Sequence, residues 1–288
     1  MTQDEFVIPN SDEISPTDIH PNAGLSGASL CRADLSGAAL SEAYLSEATL
    51  VNASLREINL SGADLRGANL RGATLTHADL RGANLRMADL TGTTLTHADL
   101  RAANLREADL TDADLRDTNV RETNLTGADL TGADLTGADF TDADLSDIPL
   151  SDATFSEADL TGADLTDADL SDASLSGATL SEIDLSADDL SEATLDGADL
   201  SGVDLRGANL TGATLTHADL RQADLTAADL TRIDLCSADL RQAELNGADL
   251  SDADLHGADL SNADLRGADL TNAQFEDADL PVDFDVDR

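Results

Sequence analysis

Residues 66–80 read RGANL RGATL THADL. Leu70, Leu75 and Leu80 fall at every fifth position, and Ala68, Ala73 and Ala78 stand two residues before them. Asn69, Thr74 and Asp79 fill the slot between, and two further residues follow each Leu. The stretch returns at residues 86–100 as RMADL TGTTL THADL, and again at residues 206–220 as RGANL TGATL THADL. Outward from it, the five-residue register holds without a slip from residue 21 to residue 280. That span contains 52 units, 48 of them with Leu at the central position; Val120, Phe140, Phe155 and Phe275 take the others.

A period of five suits neither regular element. On an α-helix five steps carry a side chain about 140° past a full turn, so the Leu would spiral around the axis. On a flat strand five steps reverse the face each time. The chain must turn once per unit. Leu and the residue two before it then point inward together, as alternation along an extended segment requires. The two residues after Leu make the corner. Nineteen of the twenty Gly occupy the second of these positions, where a tight turn calls for positive φ.

Four corners close a twenty-residue coil, so the sequence predicts an all-β fold, a quadrilateral parallel β-helix of about 13 coils. At strand spacing this is a rod roughly 60 Å long. Leu and Ala fill its interior. Each buried Leu contributes about 1.5–3 kcal/mol, offset by chain entropy. The expected organisation is an N-terminal tail or cap over 1–20, the β-helix over 21–280 and a C-terminal tail over 281–288. A cap would shield the first strand edge from aggregation.

The tandem A-(D/N)-L-x-x pattern resembles the pentapeptide-repeat family across residues 21–280. The resemblance implies a right-handed quadrilateral β-helix. It also implies a class of partner, because some members bind DNA gyrase or topoisomerase IV as duplex mimics and confer fluoroquinolone resistance. This chain departs from those members in two respects. No loop interrupts its coils, and its tail PVDFDVDR is shorter than the helical module that dimerises several of them.

The formal net charge is −42, with sixteen Arg and no Lys. Such a surface disfavours nucleic acid and anionic membranes and attracts basic protein surfaces. The charge is uneven. Residues 56–121 hold nine Arg against ten acidic residues, residues 122–205 hold 22 acidic residues and no Arg, and residues 206–280 hold five Arg against fifteen acids. Removing −5 for residues 1–22 and −2 for residues 281–288 leaves −35 on the repeats. Over about 60 Å that is one charge per roughly 1.7 Å, the axial density of B-DNA. Duplex mimicry and adaptation to a salt-rich cytoplasm are the two readings of this acidity; uniform salt adaptation leaves the near-neutral band unexplained.

Candidate partner contacts follow from the bands. Arg66, Arg86 and Arg106 share one column at offsets of twenty, and Arg81, Arg101 and Arg121 share a second. They read as neutralisers of neighbouring Asp or as a docking band for an acidic partner. Asp129, Asp139, Asp144, Asp159, Asp164 and Asp169 mark the acidic stretch. His77, His97 and His217 share a column; His77 and His97 lie one coil apart but lack a third ligand and a cavity, so solvated imidazoles are expected there rather than a metal. Thr74, Thr76, Thr94, Thr96, Thr214 and Thr216 give one side a low-charge, hydroxyl-bearing character.

Five positions break the rule. Asp188 takes an inward Ala slot, where local distortion is expected. Thr93, Thr118 and Thr123 also replace inward Ala. Pro149 stands where a ladder N–H is needed, making Ile148–Phe155 a weak point or bend. Cys31 and Cys236, roughly 48 Å apart at coil spacing, should be free thiols.

No catalytic set, cofactor motif or metal spacing stands out from the repeat. The N-terminus lacks the features of a secretory signal, and no window has the length of a membrane span, so a cytoplasmic location is expected. The sequence thus predicts a non-enzymatic interaction protein with a strongly acidic surface, DNA gyrase or topoisomerase IV being the named partners, with neither nucleic acid nor membrane bound directly. A structural spacer in a salt-adapted cytoplasm is the alternative, and an end-to-end homodimer is open to either.

Overall fold

The computed structural model describes residues 7–8 and 14–282, except 147, 151, 167, 169, 171 and 182. It divides into two compact units, residues 1–149 and residues 150–288. The division falls after Pro149, the residue that has no N–H to donate to a ladder.

In both units the described residues repeat one corner, four to a coil. Residues 64–68 show how one is held. Asp64 N–H donates to Ala43 O at 2.9 Å, Leu65 N–H to Asn84 O at 2.8 Å and Gly67 N–H to Arg86 O at 2.9 Å. These bonds tie each coil to those twenty residues before and after it, and the matching bridges, such as Asp64↔Asn84, are parallel. Ala68 N–H closes the corner on Leu65 O at 3.0 Å. A fourth-to-first bond with positive φ at the third residue is the pattern of a type II turn. The remaining donor, Arg66 N–H, bonds the Asp64 side chain at 3.3 Å. All five backbone donors are satisfied, as a compact solenoid requires.

The corner demands positive φ from the second residue after Leu, whatever that residue is. Gly82 adopts +63° and Ala102 adopts +56° one coil on. An L side chain strains the left-handed region by roughly 1–2 kcal/mol. Ala102→Gly is therefore expected to stabilise by about 0.5–1 kcal/mol once the added freedom of the unfolded chain is deducted. Gly82→Ala, which meets no atom within 4 Å, should cost about the same. Gly72→Ala should cost more, because its Cβ would lie 2.5 Å from Asn52 Oδ1. Urea midpoints of the three variants test the series.

From Leu30 to Ala263 every inward slot is buried, none more than 8% exposed. The inward Thr residues satisfy their hydroxyls on corner carbonyls: Thr93 Oγ1 donates to Leu90 O at 2.7 Å and Thr123 Oγ1 to Leu100 O at 3.0 Å, while Thr118 bonds Leu115 O. The distortion expected at Asp188 is not found in the backbone. Its N–H still closes the corner on Leu185 O at 3.3 Å, and its carbonyl still accepts Asn209 N–H at 2.9 Å. The slot tolerates the larger side chain because the coil is held by main-chain bonds that do not depend on it.

The first coil carries extra structure. Val7 pairs antiparallel with Asp34, and after a short 3-10 turn at Pro16–Asp18 Ile19 is 3% exposed. At the other end the inward residues Leu265, Leu270, Phe275 and Leu280 are only half-buried.

Candidate functional site

The outward slot before each Leu is where the charge sits, and its side chain also holds the corner. Asp129 Oδ1 accepts Thr131 N–H at 3.0 Å, Asp139 that of Thr141 at 3.1 Å and Asp144 that of Ser146 at 3.2 Å. Asp159 and Asp164 accept the N–H groups of Thr161 and Thr166, each at 3.0 Å. At four of these five the hydroxyl of the same Thr or Ser joins the same oxygen at 2.6–2.7 Å. Asp169 lies outside the described residues. The carboxylates are thus oriented with Oδ1 turned to the corner. Burial pushes the Asp144 carboxyl up, but the bonds from Ser146 and Thr126 outweigh it and its pKa ends below the usual value.

These aspartates do not gather on one patch. Asp129 continues the ladder of Asp109, Asp139 that of Asn119 and Asp144 that of Asn124, three different walls. The acidity forms a shell.

Asn performs the corner bond equally well. Asn69, Asn84, Asn104 and Asn119 accept from Arg71, Arg86, Arg106 and Arg121 at 3.1–3.3 Å. Where the slot carries Asp or Asn, the corner bond forms with either, indifferent to charge. Asp159→Asn should leave stability within about 0.5 kcal/mol, whereas Asp159→Ala, which orphans a corner N–H, should cost about 1 kcal/mol. Equal losses in both variants, read from denaturant midpoints, would contradict this role. Sequence reasoning missed the role because it took the slot for surface only; the readable signal was the prevalence of Asp, Asn, Ser and Thr, side chains that bond their own backbone two residues on.

The arginines sort by what precedes them. Arg66, Arg81 and Arg101 follow Asp-Leu and fold back bidentately: Nε to Oδ1 at 2.7–2.8 Å and Nη2 to Oδ2 at 2.6–2.7 Å, on Asp64, Asp79 and Asp99. Arg81 also reaches Asp99, one coil on, at 3.7 Å. Arg116, Arg206, Arg221 and Arg241 repeat this bridge at 3.6–3.8 Å. The Arg81 guanidinium holds the Asp79 carboxyl below its usual range. Arg86 and Arg106 follow Asn-Leu, find no second carboxylate oxygen there, and instead share Glu107 at 3.2 and 3.1 Å. Arg121 pairs with Asp139, at 3.7 Å.

The remaining features are modest. The His77 and His97 rings stack at 4.9 Å, and His97 Nδ1 lies 3.6 Å from Asp117. Among the described residues no group of three His, Cys, Asp or Glu is placed to hold a metal, and no helix is long and apolar enough to cross a membrane. On the hydroxyl-bearing side Thr96 bonds Thr76 at 3.2 Å, while Asp196 interrupts it by accepting Thr216 Oγ1 at 2.6 Å. Cys31 and Cys236 are free and half-buried. Burial, and then the neighbouring Asp234 and Asp254, push the Cys236 thiol up to about 12, which makes it unreactive.

A family model described as pentapeptide repeats (8 copies) matches overlapping segments that cover residues 23–147, 150–186 and 189–281. Among solved structures the chain is similar to HetL, a pentapeptide repeat protein involved in heterocyst differentiation regulation from the cyanobacterium Nostoc sp. strain PCC 7120. Identity is 36% over 79% of this chain and 91% of that one, with a TM-score of 0.33. It is similar also to Rfr23 from the cyanobacterium Cyanothece 51142, at 33% identity over 32% of this chain and 63% of that one, TM-score 0.32. Full-length QnrB1, a plasmid-mediated fluoroquinolone resistance protein, matches at 21% identity over 59% of this chain and 88% of that one, TM-score 0.28. Among curated proteins nothing matches significantly. The repeat model covers most of the chain, and the corner just described is built from the residues that it matches; the chain belongs to the pentapeptide repeat family, whose members fold as right-handed quadrilateral β-helices.

Proposed function

We propose that the protein is a non-enzymatic interaction protein whose acidic shell engages a basic protein surface, with a type II topoisomerase as the named candidate. The observation that carries the reading is the fixed orientation of the carboxylates. Asp159 and Asp164 each spend Oδ1 on two bonds from the next corner, so their rotamers are set before any partner arrives. Preorganised anions lose little entropy on binding. The likeness to QnrB1 supplies the candidate but no contact residues. A supercoiling titration with DNA gyrase tests it: inhibition, or protection from a fluoroquinolone, at stoichiometric protein supports the reading, and no effect at large excess removes the topoisomerase as partner.

The second reading, a structural spacer in a salt-rich cytoplasm, draws on a different observation. Acidity covers several walls, and Asn would serve each corner as well as Asp. Under this reading residues 1–20 cap the first coil, and the half-buried Leu265–Leu280 face is the surface for end-to-end pairing. Ordered assembly by light scattering, without any effect on gyrase, favours the spacer.

A further inference from the structure

One wall of the first unit reverses the chemistry of the rest. Asn84, Asn104 and Asn124 succeed one another in a single ladder, the one place where three successive coils carry Asn in the outward slot. Their Oδ1 atoms are spent on Arg86, Arg106 and Thr126 N–H groups at 3.3, 3.1 and 3.0 Å. Among the described residues none of the three amide nitrogens donates to a partner. The wall therefore has amide N–H donors to spare, repeated at the coil spacing of about 4.8 Å. On the adjoining corner Arg86 and Arg106 share the single carboxylate of Glu107, which leaves guanidinium donors over.

What fits such a wall is a row of carboxylates with the same repeat. The second unit carries one. Asp164 and Asp184 stand at an offset of twenty, in a stretch where residues 150–205 contain no Arg, Lys or His; Asp204, the next in the series, is already clamped by Arg206. Asp164 and Asp184 bond their corners through Oδ1 at 3.0 and 2.9 Å, which leaves Oδ2 to accept. Because both rows are generated by the same coil, their spacing is commensurate without any adjustment. We propose that the asparagine wall of one copy docks side-on against the Asp164 and Asp184 carboxylates of a second copy, amides and guanidiniums donating to carboxylates. The donor face is distinct from the acidic shell proposed to meet a basic partner, whereas Asp164 belongs to both, and the contact is heterologous, joining unlike patches of two copies.

Sedimentation of the full chain from micromolar to millimolar concentration, in enough KCl to screen the mutual repulsion of two anions, tests the contact. Weight-average mass should rise with concentration. The variant N84D/N104D/N124D keeps all three corner acceptors, so it folds as Asp-bearing coils do, yet it turns the donor wall into a second row of like charges. Its self-association should be weaker by roughly tenfold or more, and D164N/D184N should weaken it from the other side. Circular dichroism and melting confirm that both variants are folded. A wild-type mass that stays monomeric throughout overturns the proposal, as does association of the triple variant equal to wild type. Loss of association in Leu270→Arg alone would assign it to the coil end, and retention of poly-L-aspartate by a monomeric chain would assign the wall to a foreign partner; either result overturns docking of a second copy.

Discussion

In molar KCl the protein is expected to melt roughly 10 °C or more above its melting temperature in dilute buffer. Fifteen of the bridges between described residues in successive coils join two acidic residues, among them Asp89↔Asp109, Asp109↔Asp129 and Asp229↔Asp249. Two charges held at coil spacing repel by up to roughly 0.9 kcal/mol in water. Corner bonds such as those from Thr111 to Asp109 and Thr131 to Asp129 prevent these side chains from splaying freely apart. Arginines relieve some rungs, as Arg221 does by clamping Asp219 and reaching Asp239. Others, such as Asp89 with Asp109, carry no such clamp. At molar salt the Debye length falls to about 3 Å, shorter than the rung, so a few kcal/mol of repulsion disappear. A melting temperature that does not move with KCl would show that the ladders cost nothing, and would remove salt adaptation as the reason for the acidity.

The second large effect is in the core. Phe140 and Phe155 are wholly buried in slots that the repeat otherwise gives to Leu. Phe140→Ala should lose about 3–5 kcal/mol of unfolding free energy, and Phe155→Ala a similar amount. Phe140→Leu restores the residue found at 48 of the 52 central positions and should lose under about 1.5 kcal/mol. Urea denaturation followed by circular dichroism measures all three. A loss below about 1 kcal/mol for Phe140→Ala would mean that the surrounding coil collapses into the space.

The fold was legible because one residue type recurs at a period that only a once-per-unit turn can satisfy. Leu70 and Ala68 required nothing beyond alternation and arithmetic to be placed inside. Corner strain was half legible: Gly72 announced positive φ, but nothing in Glu122 or His77 did, since those residues adopt it only because the ladder on either side leaves no other path. Candidate contacts were less readable still. Asp159 and Arg81 were correctly seen as outward and charged, yet their local partners depend on side-chain geometry two residues away, which composition does not carry. The distinction between a clamped Arg81 and an unclamped Arg86 turns on Asp79 against Asn84, a difference that had been counted only as charge.

Asp and Asn codons differ by a single nucleotide, and the corner accepts either amino acid. Each outward slot is therefore a one-step genetic switch between an elementary charge and none, with the backbone unmoved. Selection on such a chain can compose its surface potential one site at a time, without passing through unfolded intermediates. A neutral wall in an otherwise anionic molecule is the kind of inscription that this coding allows.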